Sequence, residues 1–256
     1  MLRILYSDLR SLLKHISLKL CIGASMGYAL AFVVILKIIM YFVSDGEFIY
    51  GEDILSAYND IAIFVITAFA VMFFTSDFAN GTIRNKLISG LRKSEVFISS
   101  VFSGMFASVL ITVVVTLFEA LLAIVLSEGF MTYNLAELSD NFLMLIITAA
   151  SIGAFASMIT LVFAQTRFAY FAGFVIAFFI KLFNSEVAQD LYPMNGTCLL
   201  TGTKLALYTA YDRFSPFIHF EGYPHWDILS YLLGSVILTA LSIGIGLIIF
   251  NRKEIK

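Results

Sequence analysis

Charged residues are scarce in this chain, and their scarcity argues against a soluble fold. Only 13% of the 256 residues are Asp, Glu, Lys or Arg, about half of the roughly 25% found in soluble domains. A water-exposed surface on a domain of this size needs more charge, whereas a surface that faces lipid needs none. The sequence also contains no basic domain or basic stripe suited to nucleic acid, so we expect no nucleic-acid partner.

Cysteine and histidine, which are common metal ligands and catalytic residues, are also few in this chain. The two cysteines, Cys21 and Cys198, form neither a CxxC pair nor a disulfide framework. The three histidines are scattered, without an HExxH or HxH motif or a carboxylate cluster at ligand spacing. An intramembrane protease would need a Ser/His pair, paired aspartates or zinc ligands inside the apolar segments, and the sequence places no such set there. We therefore expect no enzymatic activity, metal or cofactor in this chain itself.

Long apolar runs are what the sequence has in abundance. Hydrophobic residues make up 60% of the chain, and its mean hydropathy is +0.94. A transmembrane helix needs about 20 mostly apolar residues to cross a hydrocarbon core of about 30 Å. Six runs qualify as spans, of which the second and fifth are short and are extended into their less apolar flanks. The predicted spans are residues 20–43, 58–75, 97–126, 142–163, 165–183 and 228–250.

The basic residues between these spans are distributed very unevenly. Twelve Lys and Arg residues flank one side, in the N-terminal segment, the second-to-third and fourth-to-fifth connections and the C-terminal tail, whereas three lie on the other side. The loops 44–60 and 127–141 contain acids but no Lys or Arg. Because positive charge is retained in the cytoplasm, we expect both termini of this multi-pass protein to be cytoplasmic.

Residues 1–19 predict an amphipathic helix rather than a span. Leucine and isoleucine recur at intervals of three and four on one face, while Arg3, Arg10 and Lys14 recur on the other. Such a helix lies along the inner leaflet with its basic face near anionic headgroups, so membrane lipid is an expected partner. The alternative is a simple cytoplasmic stub.

The connection between the second and third spans carries the signals of a short helix. Asn80 and Gly81 form a dipeptide that breaks the preceding helix. Thr82 is a candidate N-cap, and Gly90 is placed to end the helix. We therefore predict a cytoplasmic helix within residues 82–90.

The side chains of this predicted helix indicate a docking role. Ile83 and Leu87 share one face at a spacing of four residues, and Arg84 and Lys86 flank that face. A short, rigid helix with apolar side chains and basic flanks suits docking into a groove on a partner protein. An ordinary loop of this length would need no such order.

Residues 81–87 read Gly-Thr-Ile-Arg-Asn-Lys-Leu. This stretch resembles the coupling-helix signature of type-2 ABC permeases, the membrane subunits of bacterial ATP-binding-cassette exporters. The order of elements is similar along the whole chain: an N-terminal elbow helix, two spans, a coupling helix, three spans, an external loop over 184–227 and a final span. The resemblance implies an all-α membrane protein with six transmembrane helices, whose external loop holds short helices. The coupling residues that it implies are Thr82, Ile83, Arg84, Asn85, Lys86, Leu87, Gly90 and Arg92.

The same resemblance implies a function. In this family the ATPase is usually a separate polypeptide, and this chain has no GxxxxGK[ST] phosphate loop. The implied assembly contains two copies of a cytoplasmic ABC ATPase, which bind ATP and Mg²⁺, and a second permease subunit that is either identical or a paralogue. Family members of similar size and character serve antimicrobial-peptide, bacitracin or lantibiotic systems, which implies export of a hydrophobic or amphipathic substrate across a bacterial plasma membrane. The alternative is a non-transporting membrane immunity protein, sensor or scaffold.

Four residues within the spans are candidates for a pathway or a helix interface. Glu119 is the clearest acid inside a span, where acids often mark a pathway, although a position about 33 Å along its helix also lets it reach external water. Lys37 is expected to snorkel toward the outer surface, and a Lys37–Glu119 pair is an open alternative. Gly23 and Gly27 form a GxxxG motif, which serves either packing within the chain or dimerisation.

Overall fold

The computed structural model describes residues 2–43, 49–131, 134–163, 168–193, 198, 200–221 and 228–253. Residue 1, the first residues of the predicted fifth span (165–167) and parts of the predicted external loop lie outside this set. All regular structure in the described residues is helical. The α-helices are α1 (Leu2–Lys14), α2 (Ile16–Val43), α3 (Gly51–Leu55), α4 (Ala57–Ala79), α5 (Thr82–Ile88), α6 (Lys93–Leu126), α7 (Leu135–Phe163), α8 (Phe168–Leu191), α9 (Gly202–Phe214) and α10 (Ile228–Arg252), and a 3-10 turn, η1 (Ile218–Phe220), precedes α10.

Six helices in the described part of the chain are long and apolar enough to cross a membrane. They are α2, α4 together with the short α3 that leads into it, α6, α7, α8 and α10. The prediction of an all-α fold with six helices long and apolar enough to span a membrane is therefore confirmed for the described residues. The longest helix, α6, has 34 residues, which corresponds to about 51 Å and exceeds the thickness of a hydrocarbon core.

Helix α7 lies at the centre of the bundle and α2 lies at its edge. Helix α7 packs against α4, α6, α8 and α10, whereas α2 packs mainly against α4 and α6. The difference is visible in burial, since 61% of the apolar window of α7 is buried inside the bundle but only 17% of that of α2. Much of α2 is therefore free to contact lipid or another protein.

Small residues bring α6 and α7 into close contact. The Ser108 hydroxyl donates to the Gly104 carbonyl at 2.9 Å, and the Ser157 hydroxyl donates to the Gly153 carbonyl at 2.6 Å. Each serine lies against the glycine of the other helix, so that a Cβ atom on Gly104 or Gly153 would overlap a serine hydroxyl. Because apolar burial does not drive association in lipid, this close backbone approach is a main source of helix packing here.

The two ends of the bundle carry different short elements. Helices α1 and α5 lie at the end where α4 stops and α6 starts, and we call this the α5 end. Helix α3, helix α9 and η1 lie at the opposite end, which we call the α9 end. At the α5 end, the Lys253 ammonium donates to the carbonyls of Leu161 and Val162 at 3.2 and 2.8 Å. These bonds satisfy carbonyl groups that the last turn of α7 leaves without a helical partner.

Candidate functional site

The short helix α5 is bounded by two glycines in the left-handed region of backbone conformation. Gly81, with φ of 68°, is the N-cap, and Thr82 is the first helical residue. Gly90, with φ of 91°, follows the last turn. The prediction that Thr82 is the N-cap is therefore wrong by one residue, because the chain leaves α4 through a positive φ that only glycine adopts without strain.

The two faces of α5 have different neighbours. Ile83 is 0% exposed and Leu87 packs against the main hydrophobic core, so this apolar pair anchors α5 to its own bundle. The docking role expected of Ile83 and Leu87 therefore conflicts with their burial. The side chains that point away from the bundle are Arg84, Asn85 and Ile88, of which Ile88 is 72% exposed. We call these three residues the outer face of α5.

A buried ion pair ties α5 to α1 and α6. The Lys86 ammonium donates to Oδ1 of Asp8 at 2.6 Å, and the Ser99 hydroxyl donates to Oδ2 at 2.7 Å. Asp8 is only 6% exposed. Sequence reasoning missed Asp8, although it is the only acidic residue before Asp45 and stands among basic neighbours.

Helix α1 has three faces rather than the two expected of a simple amphipathic helix. Asp8 and Leu12 face the bundle and are buried. Tyr6 and Leu13 are exposed apolar side chains on another side of the helix, while Arg10 is exposed on the polar face. The helix is therefore held by protein contacts on one face and leaves a second, apolar face open.

Glu119 does not reach solvent; the structure instead places it against the start of α4. Its side chain is 0% exposed, and Oε1 accepts the backbone N–H of Tyr58 at 2.7 Å. Tyr58 is the second residue of α4, where backbone N–H groups have no acceptor within the helix. The Tyr58 hydroxyl is 3.0 Å from Oγ1 of Thr112, so α6 holds Tyr58 at both its amide and its hydroxyl. Lys37 is exposed and forms no ion pair with Glu119 among the described residues.

Gly23 and Gly27 do not pack against the described residues of other helices. Both are exposed, and a Cβ atom at either position would meet no atom within 4 Å. The interpretation of the GxxxG motif as an intrachain contact is therefore wrong. The motif lies on the open face of α2, where its small side chains leave the backbone accessible.

At the α9 end, polar contacts hold the connection between α8 and α10. The Lys181 ammonium donates to Glu221 at 2.9 Å and to Asp60 at 3.5 Å. The Asn184 amide donates to the Phe217 carbonyl at 2.7 Å. His219 is buried 3.3 Å from the Thr148 hydroxyl, and burial lowers the pKa of His219 to about 3. The described part of this connection is therefore packed against the bundle.

The described sites hold helices together through packing, hydrogen bonds and ion pairs. Within the part of the chain that the structure describes, no group of three or more His, Cys, Asp or Glu side chains could hold a metal ion. No known protein-family model matches the sequence, and no curated protein matches it either. The most distinctive site in the described part of the chain is α5, with its exposed outer face and its contacts to α1 and α6.

Proposed function

We propose that this chain is the permease subunit of an ATP-driven exporter of the type-2 ABC class. Its membrane is proposed to be the bacterial plasma membrane, with α1, α5 and both termini on the cytoplasmic side. The observation that carries the proposal is α5: a two-turn helix, held firmly at one end of a six-helix bundle, whose outer face points away from every other described element.

The stability of α5 supports a docking role. Isolated helices of this length are unstable in water, so its order depends on Ile83, Leu87 and Lys86. Such a short helix adds little to the core, yet three anchoring residues fix its orientation. An exposed isoleucine next to an arginine suits a protein interface, where both apolar side chains and Arg contribute binding energy.

The distribution of basic side chains supports the proposed orientation. The α5 end carries Lys14, Arg84, Arg92, Lys93 and Lys253 among its described basic residues. The α9 end carries acidic groups next to its few lysines and arginines. Basic residues remain on the cytoplasmic side of membranes, which favours a cytoplasmic α5 end.

The proposed mechanism couples two ATPase subunits to two permeases. Closure of the ATPases around ATP and Mg²⁺ would push on the outer face of α5 and shift the bundle between two conformations. The second permease would contact the open face of α2, where Gly23 and Gly27 permit close helix approach. The substrate class that fits is a hydrophobic or amphipathic molecule, such as an antimicrobial peptide, that moves along the interface between the permeases.

The proposal is tested by changing the outer face of α5. Ile88→Ala combined with Arg84→Ala should remove the cytoplasmic ATPase that co-purifies with the wild-type chain and should abolish substrate-stimulated ATP hydrolysis. Ile248→Ala is the matched control, because Ile248 is a 60% exposed isoleucine on α10. Unchanged association and hydrolysis in the α5 variant would disprove the docking role. A chain that confers its phenotype without any ATPase would favour a non-transporting immunity protein, sensor or scaffold.

A further inference from the structure

We infer that Asp8 is a positioning residue for α5, which fixes the rotation of this helix about its axis and links it mechanically to α6. The inference rests on the proposed function only in identifying the outer face of α5 as the docking surface. The contacts themselves involve α1, α5 and α6, three elements that the sequence separates by up to 91 residues.

Both carboxylate oxygens of Asp8 are used, and each serves a different helix. Oδ1 accepts from Lys86 of α5 at 2.6 Å, and Oδ2 accepts from Ser99 of α6 at 2.7 Å. Ser99 is buried, and the side chains of Asp8 and Lys86 are largely withdrawn from solvent. One carboxylate therefore joins the middle of α5 to the second turn of α6.

The Asp8–Lys86 contact sets which side of α5 points outward. At 100° per residue, Ile83, Lys86 and Leu87 fall within an arc of about 100° on one side of the helix, and the outer face falls within the opposite arc. The two apolar side chains alone leave the helix free to roll, since a hydrophobic contact is not directional. A short ion pair at 2.6 Å supplies the missing direction.

The chain on either side of α5 is poorly suited to transmit a push. Gly81 and Gly90 border the helix, and glycine is the residue with the greatest backbone freedom. The path through Lys86, Asp8 and Ser99 instead consists of short hydrogen bonds between helices. A displacement of α5 would therefore reach α1 and α6 directly through side chains.

Stability alone does not explain a buried ion pair at this place. Desolvation of two charges offsets much of their attraction, so that apolar residues of similar volume often serve folding equally well. What such residues cannot supply is a fixed direction between α5 and α6. The position of the outer face, rather than the stability of the bundle, is the property that we assign to Asp8.

The first test measures hydrogen exchange of the α5 amides in the detergent-purified chain, without any ATPase. Asp8→Asn and Lys86→Met should each accelerate exchange in α5 by roughly tenfold, since local opening is controlled by the few contacts that hold a segment. Arg84→Met is the matched control, because it removes a cation from the outer face of the same helix. The double variant D8N/K86M removes both charges of the pair, so neither partner is left behind alone; it should stay folded and show the same acceleration.

The second test separates positioning from docking. With the ATPase present, D8N should retain ATPase association, because the three residues of the outer face are unchanged and a helix that rolls still reaches the docked orientation. It should nevertheless lose roughly tenfold in substrate-stimulated hydrolysis, about 1.4 kcal/mol of coupling. K86R retains a cation for Asp8, so its substrate-stimulated hydrolysis should stay near the wild-type rate, in contrast to that of K86M. Wild-type exchange rates for α5 in D8N, K86M and the double variant would overturn the inference. A failure to recover any ATPase with the wild-type chain would instead count against the proposed function, and the exchange result would still stand.

Discussion

Replacing Glu119 tests whether this buried carboxyl group holds the start of α4. Glu119→Ala removes the acceptor of the Tyr58 N–H, which lies 2.7 Å away. Glu119→Gln keeps an oxygen acceptor in the same place. Thr112→Val is the matched variant, because it removes only the partner of the Tyr58 hydroxyl at 3.0 Å and preserves the shape of the side chain.

The expected costs differ enough to be ranked. An unsatisfied buried donor costs about 1–3 kcal/mol, to which E119A adds the space left by the deleted side chain. T112V leaves the buried Tyr58 hydroxyl without this partner at a comparable cost, but it leaves no cavity, because valine has the shape of threonine. E119Q should lie within about 1 kcal/mol of the wild type, because its amide oxygen still accepts the Tyr58 N–H and its NH₂ group takes the place of Oε2, which has no hydrogen-bond partner among the described residues. We therefore expect stability to decrease in the order wild type, T112V or E119Q, then E119A.

The assay is reversible unfolding of the purified chain in mixed detergent micelles, followed by circular dichroism. The free energy of unfolding of E119A should fall below that of T112V by more than about 1 kcal/mol, because only E119A also leaves a cavity. If E119A is as stable as T112V, Glu119 does not satisfy the start of α4. If E119Q is as unstable as E119A, a charge rather than an acceptor is required, and the hydrogen-bond argument fails.

Three further outcomes follow from the same geometry. Gly153→Val should destabilise the bundle by several kcal/mol, because its side chain would overlap Ser108. Gly244→Val is the control, since a Cβ atom at Gly244 meets no atom within 4 Å, and it should unfold like the wild type in detergent titrations. Gly27→Leu should leave monomer stability unchanged but weaken any dimer seen by cross-linking in membranes, and an unchanged dimer would exclude this face of α2. Burial keeps His219 neutral in the folded chain, with a pKa of about 3 against 6.5, so the free energy of unfolding should fall as the pH drops from 6.5 toward 3. The melting temperature of His219→Gln should depend less on pH, and a pH dependence equal to that of the wild type would contradict this assignment.

The sequence predicted the features that depend on neighbouring residues. Hydropathy reveals the six apolar helices because the length of a span is a local property of the chain. The bounds of α5 were predicted to within one residue, since Gly81 and Gly90 border the helix and no other residue type adopts their backbone conformation as easily.

The contacts that define the sites could not be predicted in this way, because they join distant parts of the chain. Asp8 meets Lys86 across 78 residues, and Tyr58 meets Glu119 across 61. The pattern of α5 showed correctly that Ile83 and Leu87 share a face, but periodicity does not reveal whether an apolar face meets its own protein or a partner. The distance of Glu119 along α6 placed it near an end of the helix, but could not show that the start of α4 covers it.

Two polar contacts of this bundle satisfy backbone groups at the ends of helices. Glu119 satisfies the start of α4, and Lys253 satisfies the end of α7. In both cases the polar group serves a helix terminus, where unpaired backbone groups cannot be left in an apolar surrounding. The Asp8–Lys86 pair differs because it joins side chains on the flanks of two helices and serves no terminus. Folding does not require this ion pair to satisfy backbone groups. We therefore assign it a role in conformational change, because it lies on the helix proposed to receive the push from the ATPases.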